Sequence, residues 1–326
     1  MVFMRALTVD LARTGSLDLA DLPDPVPGPE ELLVEGLAIG ICGTDREIVR
    51  GEFGVGGTLV IGHESLGRVI SGPGFAPGTL VAGVVRRPDP VPCVACARGE
   101  FDMCRNGRYT ERGITGLDGY GSTMWTVPAP YAVAVSSETG VLVEPASVVV
   151  KAWERLDRLA LFPFDSVLVT GAGPIGLLAA LIGVQRGLDV HVFDLAEDGP
   201  KPALVESLGA TYHRTLPDHQ VVIEATGAPS LVARLLGRDL VCLTGVPSTE
   251  VLPADVGRIN RDLVLRNGIT FGTVNANVRH YREASAVLDR ADDEWLSAMI
   301  TRRVPLEEFA SAFEHRPGDV KVVLEL

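Results

Sequence analysis

Two hydrophobic rhythms divide the chain. From residue 1 to about 140, short apolar runs (RALTV, ELLVEGLAI, LGRVI, TLVAGVV, YAVAV) are separated by turn-rich clusters such as DLPDPVPGPEE and SGPGFAPG. Runs of this length between Gly and Pro clusters predict an all-β domain, a partly closed barrel. After Glu144 the β-branched runs SVLVT, DVHVF, VVIEA, DLVCLT and ITFGTV mostly alternate with helical stretches such as GLLAALIGVQRG and SLVARLLG. That alternation predicts a parallel sheet covered by helices on both faces. The tail ends in another apolar run, VKVVLEL, read as a strand returning to the first domain. The domains are therefore expected at 1–145, completed by 286–326, and at 146–285.

One apolar run carries a fault. VIGHESLGRV, Val60 to Val69, reads as a buried strand, yet His63 and Glu64 stand side by side within it. Burying two polar groups without partners costs several kcal/mol, so the run needs a compensating chemistry.

Length and composition narrow the choices. A chain of 326 residues suits two domains better than one core. No apolar run is long enough to span a bilayer, and MVFMRALTVD reads as a first strand, not a signal peptide. The formal charge of −13 opposes binding to polyanions, which argues against a nucleic-acid partner. Lysine occurs only at positions 151, 201 and 321, a shortage read as GC-rich coding because no long acidic runs accompany it. Five cysteines without an export signal indicate reduced thiols, some with metal, and a cytoplasmic protein. Cys242, inside LVCLTG, reads as a small buried hydrophobe.

SVLVTGAGPIGLLAA places Gly171, Gly173 and Gly176 in G-x-G-x-x-G spacing between a strand and a helix. The first glycine serves the tight turn, the second the approach of a pyrophosphate, and the third close helix–strand packing. A second strand ends in Asp194, 18 residues beyond Gly176, where a carboxylate accepts from the ribose 2′-OH of NAD and repels a 2′-phosphate. LAEDGP, which follows, offers no Arg for such a phosphate. NAD is preferred, with NADP second.

Cys42 in GICGTDRE, His63 in VIGHES and Glu144 in VLVEPAS each follow an apolar run. Thiolate, imidazole and carboxylate are the usual Zn²⁺ donors, and three of them leave a position open for catalysis. Each alone also fits a bland role: a buried thiol, a hydrogen-bonded core histidine, a surface glutamate.

With C-G-T-D at Cys42–Asp45, G-H-E at Gly62–Glu64, Glu144–Pro145 and the glycine motif, the chain resembles the zinc-dependent medium-chain dehydrogenases from end to end. The resemblance implies a GroES-like β domain holding zinc, a Rossmann domain holding the nicotinamide, and an active site between them. It makes Cys42, His63 and Glu144 zinc ligands, with Glu64 exchanging onto the metal. Thr44 becomes the proton relay and Asp45 a support behind the ligands. Cofactor contacts fall on Gly171, Gly173, Pro174, Ile175, Gly176, Asp194, Thr226, Gly245, Thr273 and Asn275. VVRRPDP, RYTERGITGLDGYG, VEPASVVVKAWE, IEATGAP and FGTVNANVRHYREA resemble the archaeal-type glucose 1-dehydrogenases in particular. That likeness implies oxidation of an aldose at C1 to its lactone, with Glu111, Glu144 and Asn275 near the sugar, in a homodimer or homotetramer. A polyol or cyclitol substrate, or a non-catalytic NAD-binding sensor, are the competing readings.

The pattern departs from the family in the lobe PVPCVACARGEFDMC, which supplies Cys93, Cys96 and Cys104 but Pro90 where a fourth Cys is usual. A lobe without metal is expected, against a structural zinc completed by Asp89 or a nearby carboxylate. Glu47 stands where many relatives carry a relay His. His191 reads as packing, His213, His219 and His315 as surface, and His280 as a helix start or an approach to the active site.

Overall fold

The structure, a computed structural model, describes residues 3–52, 56–246, 251 and 253–326. It divides into two compact units, Met1–Ser147 with Asn275–Leu326, and Val148–Val274.

The first unit is built around the strand Glu31–Ile41. It pairs along one side with Glu64–Ser71 and along the other with Met124–Pro128 and then Val322–Glu325, all antiparallel. The C-terminal run therefore returns to this unit as a strand. Alternation in ELLVEGLAIGI, shifted by a register irregularity between Gly36 and Ala38, turns Leu32, Val34 and Ile39 into a core shared with Leu7, Val81, Trp125 and Leu324. VIGHESLGRV is not one strand but two, Thr58–Val60 and Glu64–Ser71. Gly62 breaks it with φ +91°, and a Cβ there would lie 2.8 Å from Ile39 Cδ1 and 3.0 Å from the Gly121 backbone N. The break is what brings His63 out of the ladder while Glu64 stays within it.

The second unit is a six-stranded parallel sheet in the order Thr211–His213, Asp189–Phe193, Ser166–Thr170, Val221–Glu224, Leu240–Leu243, Ile269–Gly272. In chain order this is 3-2-1-4-5-6, the doubly wound arrangement of dinucleotide-binding domains. Five of the strands are the β-branched runs of the sequence. The sixth, Thr211–His213, is three residues of edge strand, too short and polar for periodicity to reveal.

The chain returns to the first unit at Asn275, eleven residues before the expected 286. The helix Val278–Asp289 explains the difference. Its Tyr281 hydroxyl accepts from Val85 N at 3.3 Å, and Ser285 Oγ donates to Ala134 O at 3.0 Å. Ahead of the helix, Asn277 donates to Gly99 O at 2.6 Å. No helix among the described residues is long and apolar enough to cross a membrane.

Leu324 is fully buried on the returning strand. Leu324→Ala should lower the unfolding free energy by about 2–5 kcal/mol in urea titrations. Val26→Ala, at a side chain 89% exposed, should change it by no more than about 0.5 kcal/mol.

Candidate metal and nucleotide sites

Cys42 caps the short helix Gly43–Val49 from an extended backbone. Its N–H donates to Asp45 Oδ2 at 2.9 Å, and the other oxygen of Asp45 lies 3.2 Å from His63 Nδ1. That contact fixes the ring so that Nε2 faces Cys42 Sγ, 3.2 Å away. Asp45 is completely buried. Burial opposes its ionisation, but the charge and hydrogen bond of His63 and the Cys42 backbone N–H outweigh it and hold its carboxyl low. Burial raises the Cys42 thiol, helped by the charges of Asp45 and Glu64 and only partly opposed by His63.

Glu64 follows directly in the strand, paired across the ladder with Gly40. A Cβ on Gly40 would sit 1.9 Å from the Glu64 carboxylate, so that glycine is what leaves room for it. The carboxylate forms an ion pair with Lys321, itself only 1% exposed, whose ammonium also donates to Ile41 O at 3.4 Å. Cys42 Sγ, His63 Nε2 and a Glu64 oxygen all lie within 4.8 Å of one another. A thiolate, an imidazole and a carboxylate converging in a buried site fit Zn²⁺. Glu144, in the first turn of the helix Val143–Leu159, lies outside that tight group. Burial pushes its carboxyl up to about 7, with His63 pulling it down and Glu64 pushing it further up. Thr44 is half-buried in the first turn of the helix after Cys42.

The three remaining cysteines of this unit also converge, with the Sγ atoms of Cys93, Cys96 and Cys104 within 4.8 Å of one another. Backbone N–H groups of Cys96 and Arg105 lower the Cys93 thiol to about 6. Asp89 does not join them. Its Oδ1 accepts from Val91 N at 2.8 Å and its Oδ2 faces Arg108 Nε at 3.3 Å.

Glu111 and Asn275 meet in the same unit. The Asn275 amide donates to Glu111 Oε1 at 2.5 Å, while its own oxygen accepts from Ala276 N at 2.7 Å. Asn275 holds a left-handed φ of +59°, which asparagine tolerates better than most residues. Its side chain is thus engaged with protein groups before any ligand arrives. Arg86, which the sequence reading did not single out, pairs with Glu111 and is 5% exposed. His280 sits third in its helix, its Nδ1 accepting from Asn277 N at 2.9 Å, the helix-start role.

In the second unit the three glycines behave as their spacing implies. Gly171 has φ +93°, and a Cβ on it would meet Thr226 Cγ2 at 2.8 Å. A Cβ on Gly176 would lie 1.7 Å from Gly171 O, whereas one on Gly173 would meet nothing within 4 Å. The open side at Gly173, just ahead of the helix Pro174–Gln185, leaves backbone N–H groups approachable by phosphate. Pro174 and Ile175 begin that helix. Thr226 and Gly245 lie on adjoining loops at the carboxyl ends of their strands, where a Cβ on Gly245 would come within 2.1 Å of Gly227 N. Thr226 is tied to the buried Glu224, its N–H donating at 2.7 Å. Thr273 is also at a carboxyl end, its Oγ1 buried without a hydrogen-bond partner among the described residues. These ends are where doubly wound sheets bind ligands.

Asp194 closes its strand as expected, its Oδ2 accepting from Ala172 N at 2.7 Å and its Oδ1 from Ala196 N at 3.0 Å. The surprise is Lys201, whose ammonium lies 3.2 Å and 3.4 Å from the two oxygens. This cation is a lysine and stands one position beyond LAEDGP, outside the stretch where an arginine is expected against a 2′-phosphate. Burial opposes ionisation of Asp194, but the Ala172 and Ala196 N–H groups and Lys201 hold its carboxyl low. His191, His213 and His219 cluster, with His191 Nδ1 2.8 Å from His213 Nε2 and its ring centroid 4.3 Å from that of His219.

A GroES-like β unit with a converging thiol–imidazole–carboxylate group, followed by a 3-2-1-4-5-6 sheet with its glycine turn, defines a zinc-type medium-chain dehydrogenase. Two family models match, "Alcohol dehydrogenase GroES-like domain" over residues 28–137 and "Glucose dehydrogenase C-terminus" over residues 137–326. The glucose 1-dehydrogenase of Thermoproteus tenax is 38% identical, with 99% of each chain covered, and that of Halobacterium salinarum 36% identical, with 94% and 95% covered. The crystal structure of glucose dehydrogenase from Haloferax mediterranei superposes with a TM-score of 0.89 at 30% identity over 99% of both chains. A second structure of that enzyme, with the same score, identity and coverage, is a complex with NADP, Zn and gluconolactone. The chain belongs to the glucose dehydrogenase family.

The Glu64–Lys321 pair yields a stability test. Lys321→Met should cost about 3–5 kcal/mol in chemical denaturation because it strands a buried carboxylate. Adding Glu64→Gln to that variant should restore much of the loss.

Proposed function

We infer that the chain is a zinc-dependent, nicotinamide-dependent dehydrogenase that oxidises a glucose-like aldose at C1 to the aldonolactone. The observation that carries the reading is the convergence of Cys42 with the buried His63 and Glu64, with Asp45 behind the His63 ring. Cys42, His63 and Glu144 would hold the zinc, with Glu64 exchanging between the metal and Lys321. When bound, zinc supplies Lewis acidity at the reacting hydroxyl, and the nicotinamide ring accepts the hydride. Asp45 holds the His63 ring so that Nε2 is the donor nitrogen. Thr44 takes the proton of the sugar hydroxyl outward. Glu111 accepts from a sugar hydroxyl, and Asn275 steadies Glu111. Gly171, Gly173 and Gly176 admit the pyrophosphate to the helix N-terminus beyond them. The protein would be cytoplasmic, a reading supported by the five free cysteines, and a homodimer or homotetramer as the family likeness implies, a state that light scattering tests.

Elemental analysis per chain, together with NADH and NADPH formation on aldoses and polyols, tests the whole reading. One zinc and turnover on glucose, galactose or xylose are expected, and loss of turnover on chelation with recovery on added zinc. Two zincs would mean that Cys93, Cys96 and Cys104 also hold metal. No zinc and no turnover would overturn the reading in favour of a binding protein.

Asp194 and Lys201 together suit both dinucleotides, the carboxylate accepting from a ribose hydroxyl and the ammonium facing a 2′-phosphate. Lys201→Ala should raise KM for NADP roughly 10-fold or more, in keeping with the loss of a charged hydrogen bond. KM for NAD should change by less than about threefold in the same steady-state assay. Equal effects on both cofactors would remove Lys201 from phosphate recognition.

A further inference from the structure

Glu111 is held unevenly. Arg86 Nε and Nη2 both donate to Oε1, at 3.0 and 2.9 Å, and the Asn275 amide donates to the same oxygen. Oε2 has no hydrogen-bond partner among the described residues. A guanidinium fork commonly shares its donors between the two oxygens of a carboxylate. Here three donors converge on one.

Arg86 has little freedom to do otherwise. It stands opposite Glu111 in the antiparallel pairing of Arg86–Arg87 with Thr110–Arg112. Its Nη1 donates to Asp102 O at 3.1 Å, and its guanidinium lies 3.7 Å from the centroid of the Tyr109 ring. Asp102 also accepts from the Asn277 amide at 2.9 Å. Arg86 and Asn277, the latter two positions beyond Asn275, are thereby both tied to the short helical turn Phe101–Met103 through Asp102.

We propose that Arg86 is the positioning residue for sugar recognition, turning Glu111 so that its unshared oxygen Oε2 accepts from one hydroxyl of the substrate. The assignment rests on the aldose reading above and deepens it. An ionised carboxylate oxygen accepts and cannot donate, so it selects a hydroxyl over a hydrogen or an ether at that carbon. Arg86 keeps the neighbouring charge balanced and leaves the rotamer of Glu111 no alternative. Lysine would keep the charge but lose the planar fork.

The test is a series of monodeoxy sugars, made from whichever aldose the wild-type enzyme oxidises best, with kcat/KM measured for each. In the wild type one deoxy position should lose roughly 10- to 100-fold, the scale of a hydrogen bond to a charged group. Arg86→Ala should shrink that penalty to within about threefold, Arg86→Lys should keep part of it, and Glu111→Gln should also shrink it. Zinc content and the denaturation midpoint of each variant accompany the kinetics. Where the alanine variant does not fold, Arg86→Lys carries the comparison, with a penalty between those of wild type and Glu111→Gln. An Arg86 variant that slows the parent and every deoxy sugar by one common factor would make Arg86 structural only and overturn the proposal. So would a wild type indifferent to every deoxy position. A wild type that oxidises no aldose would fail the underlying reading instead, and is recognised before any variant is made.

Discussion

The first unit depends on the cancellation of buried charge where Gly62 breaks the strand. Asp45, His63, Glu64 and Lys321 are each at most 5% exposed. A carboxylate left alone in such surroundings would cost several kcal/mol even after relaxation. The fold answers with an ordered series of partners. Cys42 N–H and His63 serve Asp45, Lys321 serves Glu64, and Gly40 leaves the space that the Glu64 carboxylate fills. The C-terminal strand therefore does more than close a sheet. By pairing with Glu31–Ile41 it brings Lys321 to Glu64, so the end of the chain neutralises a group placed near its beginning.

The two sites rest on different physics. The metal group is made of side chains, and each must be oriented by another, as Asp45 orients His63. The nucleotide turn is made of absent side chains. Gly171 and Gly176 let backbone approach backbone more closely than any Cβ permits, and Gly173 leaves an open face. Mutation would act accordingly. A change in the metal group alters charge balance, whereas a Cβ at Gly176 collides with fixed backbone that cannot give way.

What could be read from the sequence follows this distinction. His63 and Glu64 were visible because two polar residues interrupt an apolar run, and the three glycines because their spacing lies within one turn. The long antiparallel strands and five parallel ones announced themselves by alternation and β-branched runs. Thr211–His213 did not, being short, polar and dependent on the strand beside it. Arg86 looked ordinary because its meaning lies in Glu111, 25 positions away. Asn275 was marked only by the family likeness, because its bond to Glu111 spans 164 positions. The return of the chain to the first unit at Asn275 is hidden from the sequence for a similar reason. Nothing local in VRHYREASAVLD says that its tyrosine and serine bond to backbone near residues 85 and 134.

The lysines bring these points together. The chain has only three, and none is a freely exposed surface cation. Lys321 and Lys151 are 1% and 3% exposed, the latter donating to Val274 O at 3.0 Å, while the Lys201 side chain is 29% exposed against Asp194. The exposed basic positions are arginines, so the shortage belongs to the surface. Lysine persists where a compact point charge on a flexible stem must reach into closed space. A planar guanidinium brings five donors to satisfy, whereas the bonds of Lys321 go to the Glu64 carboxylate and the Ile41 carbonyl. At Arg86 the opposite holds. A carboxylate, a carbonyl and an aromatic face surround the fork, and arginine is the residue that uses all three.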